Sequence, residues 1–168
     1  MSEIAKKKVY LESSFFGYLM NKSIALPHIV MRHVATMRWW NEDAPKCDLF
    51  VSNYVLKEVS AGDPDEARLR VDICKGIPVL ADRQQDVEAL AGQLLSAHAL
   101  PEKAGMDAAH IAVAAVHGMD VLLTWNCRHM ANRVTIPLTN AVVASAGYRC
   151  PTIMTPVDFL EEQEAING

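Results

Sequence analysis

The chain has 168 residues, a length that suits one domain and would leave each of two domains with too little interior. Apolar residues make up 51% and charged residues 21%, which excludes a disordered chain. The net charge of −4 excludes nucleic-acid binding through global positive charge alone, although a local basic patch stays open.

Lys6, Lys7 and Lys8 precede an apolar stretch, as in a signal peptide, but Glu12, Ser13 and Ser14 interrupt it and no small-residue cleavage site follows. Residues 8–11 (Lys-Val-Tyr-Leu) are predicted to form a short buried strand, after which Ser13 or Ser14 caps a helix through Phe15–Met20. Pro27 suits the first turn of a second helix, expected to reach about Trp40 with Val30, Val34 and Met37 recurring on one face, the kind of stripe that usually meets a core. Asp48–Ser52 reads as a second strand, and Ser52 caps a helix through Val59 that Gly62 closes. Asp63 and Pro64 start another helix, Ile77–Leu80 is a brief extended piece, and Asp82 is expected to open a helix with Gln85 at the capping-box position. Asp107 opens an alanine-rich helix to about His117, where Gly118 stops it. Asp120–Thr124 and Thr152–Met154 read as strands, and Pro156 begins a C-terminal helix. Short strands separated by helices predict an α/β domain, a parallel sheet covered on both faces.

No cysteine pair has Cys-x-x-Cys spacing, which argues against a zinc ribbon or a thioredoxin-like motif. No apolar run approaches the ~18 residues of a membrane helix. A cytoplasmic protein with no membrane association and reduced cysteines is expected.

In open parallel sheets, ligands bind beyond the carboxyl ends of the strands, at a topological switch point. Glu12 directly follows the first strand, and Asn126 follows the Val121–Thr124 segment by two residues. Glu58 lies two turns into the helix leaving the second strand, and Asp107 begins the helix that leads into Asp120–Thr124. Three acids and one amide are thus expected to converge on one pocket. Carboxylate and amide oxygens suit Mg²⁺ or Mn²⁺. Three carboxylates close together need a cation or a shared proton. Hydrolysis of a phosphodiester fits such a centre. Each acid also has a plainer reading: Asp107 complements a helix dipole, Glu58 lies on a solvated face, and Glu12 caps a helix.

Val-Tyr-Leu-Glu-Ser-Ser at 9–14 and Ser-Asn-Tyr-Val-Leu-Lys-Glu-Val at 52–59 resemble motifs of the PIN-domain family, especially its VapC-like toxin branch. So do Asp-Ala-Ala-His-Ile-Ala-Val-Ala-Ala-Val-His-Gly at 107–118 and Leu-Leu-Thr-Trp-Asn at 122–126. Their order and spacing cover residues 8 to about 157. The resemblance implies a single PIN-like domain over residues 1–168, a three-layer α/β/α fold with a mostly parallel central sheet. It also implies a Mg²⁺- or Mn²⁺-dependent endoribonuclease, the toxin of a type II toxin–antitoxin pair, with RNA as substrate and an antitoxin protein as partner. By position, the family's four site residues become Glu12, Glu58, Asp107 and Asn126, the first three as metal ligands. Glu12 and Asn126 stand where the family usually has aspartate, which favours one metal over two.

Ser14, Trp125, Arg128 and Arg133 are the expected RNA contacts. Trp125 offers a stacking face, and Val121–Val157 contains no Asp or Glu while carrying Arg128, Arg133 and Arg149. His110, one turn after Asp107, either faces the pocket or, the favoured reading, is a neutral histidine bonded to backbone. The apolar content of Phe15, Phe16, Met31, Trp39 and Trp40 exceeds what one small core hides easily and predicts a homodimer, as is common among the PIN-like toxins. An alternative is a catalytically weak or inactive PIN-like module that binds RNA or protein, favoured by the uncharged Asn126. A small-molecule enzyme or response-regulator-like switch is disfavoured, because there is neither a glycine-rich phosphate loop nor paired aspartates after the first strand.

Overall fold

The computed structural model describes residues 4–168. Four strands form an all-parallel sheet in the order β2-β1-β3-β4: β1 (Lys7–Leu11), β2 (Cys47–Phe50), β3 (Val121–Leu123) and β4 (Thr152–Met154). Val9 pairs with Leu49 on one side and Val121 on the other. Val9, Tyr10 and Leu11 are all completely buried. Successive residues of a strand point to opposite faces, so this burial requires helices on both sides of the sheet.

Eight helices provide that cover: α1 (Ser13–Leu19), α2 (Pro27–Glu42), α3 (Asn53–Val59), α4 (Pro64–Cys74), α5 (Gln84–Ser96), α6 (Gly105–Val116), α7 (Ile136–Ser145) and α8 (Pro156–Asn167). The architecture is the expected three-layer α/β/α domain. α6 is the innermost helix, with every residue from Ala108 to Val116 buried. Its alanines let α5 approach closely, and Gly118 adopts φ +66° to turn the chain toward β3.

Several local expectations need correction. Val34 and Met37 face outward on α2, 58% and 37% exposed, while Thr36 and Trp39 are its buried residues. Trp39 wins the interior because its ring meets Phe15 and Phe159 edge-on, at 5.4 and 5.5 Å between centroids. Phe15 and Phe16 are also fully buried, so one core hides most of the apolar surface that suggested a dimer. α5 begins at Gln84 rather than Asp82, without a side-chain cap. Residues 77–80 are the expected brief extended piece, adding an isolated bridge, Val51 to Val79, beyond the end of β2. α7 was not expected at all; its β-branched Ile136, Thr139, Val142 and Val143 are weak helix formers, and only Thr139 and Val143 of the helix are buried.

Among the described residues, no helix is long and apolar enough to cross a membrane, and Cys47, Cys74, Cys127 and Cys150 are unpaired.

Candidate active site

The chain leaves β1 for β2 on one side of the sheet and later returns to β3 on the other. A crevice therefore opens between the carboxyl ends of β1 and β3. Glu12 stands at that point as the N-cap of α1, with an extended backbone (φ −79°, ψ 158°). Its side chain is 7% exposed. Oε2 accepts hydrogen bonds from the Ser14 amide at 3.1 Å, the Ser14 hydroxyl and the Thr124 hydroxyl at 2.8 Å. Oε1 accepts none among the described residues and faces His110 Nε2 at 3.9 Å. Ser14, expected to touch RNA, holds Glu12 here, and its hydroxyl also accepts from the Trp125 amide at 2.8 Å.

Glu58 reaches the same crevice from α3, whose N-terminus is capped by Ser52 accepting from the Val55 amide. Its Oε1 accepts from the Ser13 hydroxyl at 2.6 Å and from His110 Nε2. Burial alone pushes the Glu58 carboxyl up, but the hydrogen bonds from His110 and Ser13 outweigh it and hold the group below the usual carboxylate range.

His110 corrects the sequence reading most clearly. It is completely buried on α6 and bonds no backbone group. Nε2 meets Glu58, and Nδ1 meets the Tyr10 hydroxyl at 2.7 Å. That hydroxyl also contacts Ser52 Oγ at 2.7 Å. Burial pushes the Tyr10 phenol well above its usual range, so it stays protonated. An ionised Glu58 can only accept, so Nε2–H donates to it. With the imidazole neutral, Nδ1 then accepts from Tyr10, whose oxygen accepts from Ser52.

Glu12, Glu58 and His110 place one ligand atom each within 4.8 Å of one another, the group of metal-capable side chains found among the described residues. Two ligands held about 2.1 Å from one ion lie about 3 Å apart when adjacent, so small side-chain shifts would let this set close on a divalent cation.

Asp107 and Asn126 are arranged differently from the expected convergence. Asp107 sits one turn before His110 on α6, but outside that group of three, and its Oδ2 accepts from His129 Nδ1 at 2.8 Å. Asn126 Oδ1 accepts from the His129 amide at 3.0 Å, and its carbonyl accepts from the Met130 and Ala131 amides. Asn126 thus builds the turn that presents His129 to Asp107. Sequence reasoning passed over His129 and Tyr10. The three-residue spacing from Asn126 to His129, that of a side-chain cap on a backbone amide, was a signal for the first, whereas nothing local marks a strand tyrosine as a partner of a helix 100 residues away.

Trp125 is 6% exposed, donates through Nε1 to Thr36 at 2.8 Å and is flanked by Tyr18 and the Arg32 guanidinium, which leaves no open face for a base. Arg149 pairs with Asp120 at 2.8 Å, at the start of β3 and therefore at the opposite end of the sheet. Arg128 and Arg133 are exposed, and neither forms an ion pair among the described residues.

No protein-family model and no curated protein matches the sequence. In fold, the chain is similar to VapC20 of Mycobacterium tuberculosis, a toxin that cleaves the sarcin–ricin loop, seen in its crystal structure. The match has a TM-score of 0.56 and 21% identity and covers 83% of this chain and 95% of that one. The chain has the PIN-like fold, in agreement with the motifs at 9–14, 52–59, 107–118 and 122–126.

Proposed function

We propose that the chain is a VapC-like member of the PIN family, a Mg²⁺- or Mn²⁺-dependent endoribonuclease acting as the toxin of a type II toxin–antitoxin pair. The observation that carries this reading is the buried Glu12–Glu58–His110 cluster at the β1/β3 switch point, on a fold shared with an RNA-cleaving toxin.

Glu12 and Glu58 are the carboxylates that would hold the ion, with Asp107 as third acid and Asn126 shaping the adjoining turn. A bound divalent ion would polarise a phosphoryl oxygen and supply a water of lowered pKa. The chain's own part is preorganisation. Ser14 and Thr124 hold one oxygen of Glu12 and leave the other free; Ser13 and His110 fix Glu58. Arg128 and Arg133, next to the turn that carries His129, would meet RNA phosphates. A cytoplasmic homodimer that binds an antitoxin protein completes the proposal.

A single-stranded RNA substrate tests it. Cleavage should require Mn²⁺ or Mg²⁺, stop on chelation and fall at least about 100-fold in Glu12→Gln, the scale of a lost preorganised electrostatic group. The Asn126 amide adds no charge and its oxygen is engaged in a turn, which favours one other reading, a PIN-like module without activity. Metal binding without cleavage of any RNA would establish that reading.

A further inference from the structure

Resting on that metal centre, we propose that His110 is itself a ligand of the ion, making a Glu12–Glu58–His110 site that selects Mn²⁺ over Mg²⁺. His110 Nε2 faces both carboxylates, in contact with Glu58 and 3.9 Å from Glu12 Oε1. That Oε1 belongs to a side chain 7% exposed and accepts no hydrogen bond among the described residues, while Oε2 accepts three. A buried carboxylate oxygen aimed at an imidazole nitrogen without a partner is the arrangement a shared cation satisfies. Asp107, the other acid of the region, is engaged by His129 outside this group.

The far side of the ring supports the same assignment. Ligating imidazoles commonly donate their second N–H to an outer partner that fixes ring orientation. Here Nδ1 meets the Tyr10 hydroxyl at 2.7 Å, backed by Ser52 at 2.7 Å, and the ring and the phenol are fully buried. Metal-free, the ring proton sits on Nε2 and is donated to Glu58. With the ion on Nε2, the proton sits on Nδ1 and is donated to Tyr10, whose own O–H turns to Ser52 Oγ. Ser52 Oγ can accept from both Tyr10 and the Val55 amide, which keeps the Tyr10 donor paired in either state, while the Ser52 O–H gives up its Tyr10 acceptor when the ion binds. The proton count of the network is unchanged. Mg²⁺ prefers an all-oxygen shell and keeps its waters, whereas a nitrogen ligand suits first-row transition ions. The nitrogen therefore sets the choice of ion.

The competing arrangement has His110 only hydrogen-bonding Glu58. His110→Gln separates the two, because its amide can still donate to Glu58 but brings no imidazole. Isothermal titration of the full chain with Mn²⁺ or Mg²⁺ should show Mn²⁺ bound at least about tenfold more tightly. His110→Gln should lower Mn²⁺ affinity about 10–100-fold and leave Mg²⁺ affinity nearly unchanged. Electron spin-echo spectra of the Mn²⁺-loaded protein should show ¹⁴N coupling that persists in His129→Gln and disappears in His110→Gln. Should His110→Gln fail to fold, Tyr10→Phe keeps the ring and removes its outer partner, and it should weaken Mn²⁺ selectively. A wild-type spectrum without ¹⁴N coupling, or an Mn²⁺/Mg²⁺ ratio that His110→Gln or Tyr10→Phe leaves unchanged, would overturn the assignment while leaving a metal-dependent nuclease intact. Failure of the wild type to bind either ion would remove the metal centre and this ligand with it.

Discussion

Thr124 Oγ1 donates to Glu12 Oε2 at 2.8 Å, joining the carboxyl ends of two neighbouring strands through one buried carboxylate. The same hydroxyl accepts from the Asn126 amide at 2.9 Å, so it also starts the turn that follows β3. Thr124→Val keeps the shape of the side chain and removes both bonds. Leaving buried polar groups without partners should cost about 1–3 kcal/mol in urea unfolding. RNA cleavage should fall more steeply than this loss accounts for, because Glu12 loses its hold. Unchanged stability would mean that the hydroxyl does not carry the strand junction.

Asp107→Asn preserves an acceptor for His129 Nδ1–H and should leave the metal-free melting temperature within the range of a neutral substitution, about 0.5 kcal/mol. As the third acid of the proposed centre, it should nonetheless be needed for cleavage and for part of the metal-induced rise in melting temperature. A variant with full activity and the full metal-induced rise would place Asp107 outside the working site.

Asp120 gives an acid-sensitivity test far from the crevice. Burial pushes its carboxyl up, but the Lys8 amide and the Arg149 guanidinium together hold it below the usual range. A group whose pKa is lower folded than unfolded adds stability above its unfolded value, about 3.9, and that stability fades as pH falls through the folded value. In urea melts, the wild type should therefore exceed Asp120→Asn at pH 7, and the gap should close below about pH 4. A gap constant from pH 7 to pH 2.5 would show that the pair does not titrate with folding.

Met31, Val34 and Met37 lie at helical spacing on the outer face of α2, 52%, 58% and 37% exposed. This stripe, rather than the buried Phe15, Phe16 and Trp39, now motivates the proposed homodimer. Light scattering at tens of micromolar should give twice the chain mass. Val34→Glu should shift it to the monomer without lowering the helical signal in circular dichroism. A monomeric wild type would end the dimer proposal.

The sequence carried the layer order well because each strand ends on a short apolar run and most helices have local start and stop signals, such as Ser52, Pro64 and Gly118. It misread α2, where a helical period marks one apolar face but cannot say whether that face or Trp39 meets the core. At the site, Glu12 and Glu58 were legible because their positions follow from strand ends. His110, Tyr10 and Thr124 were not, since their roles depend on which helix rotation and strand register bring them together. The Asn126 alignment put the residue just beyond the end of β3, but its side-chain oxygen is taken up by the His129 amide.

The contacts that define the crevice span 45 residues for Ser13 to Glu58, 52 for Glu58 to His110 and 112 for Glu12 to Thr124. Such non-local contacts form late in folding, because loop closure must precede any gain from them. During synthesis, a chain that has not yet released Thr124 from the ribosome holds both glutamates and the histidine, but not the hydroxyl that joins β1 to β3. On the proposed reading as a nuclease, hydrolytic competence is therefore tied to near-completion of translation. The chain would then emerge first as an inert fragment, and the window for the proposed antitoxin to engage it would open before it could cut.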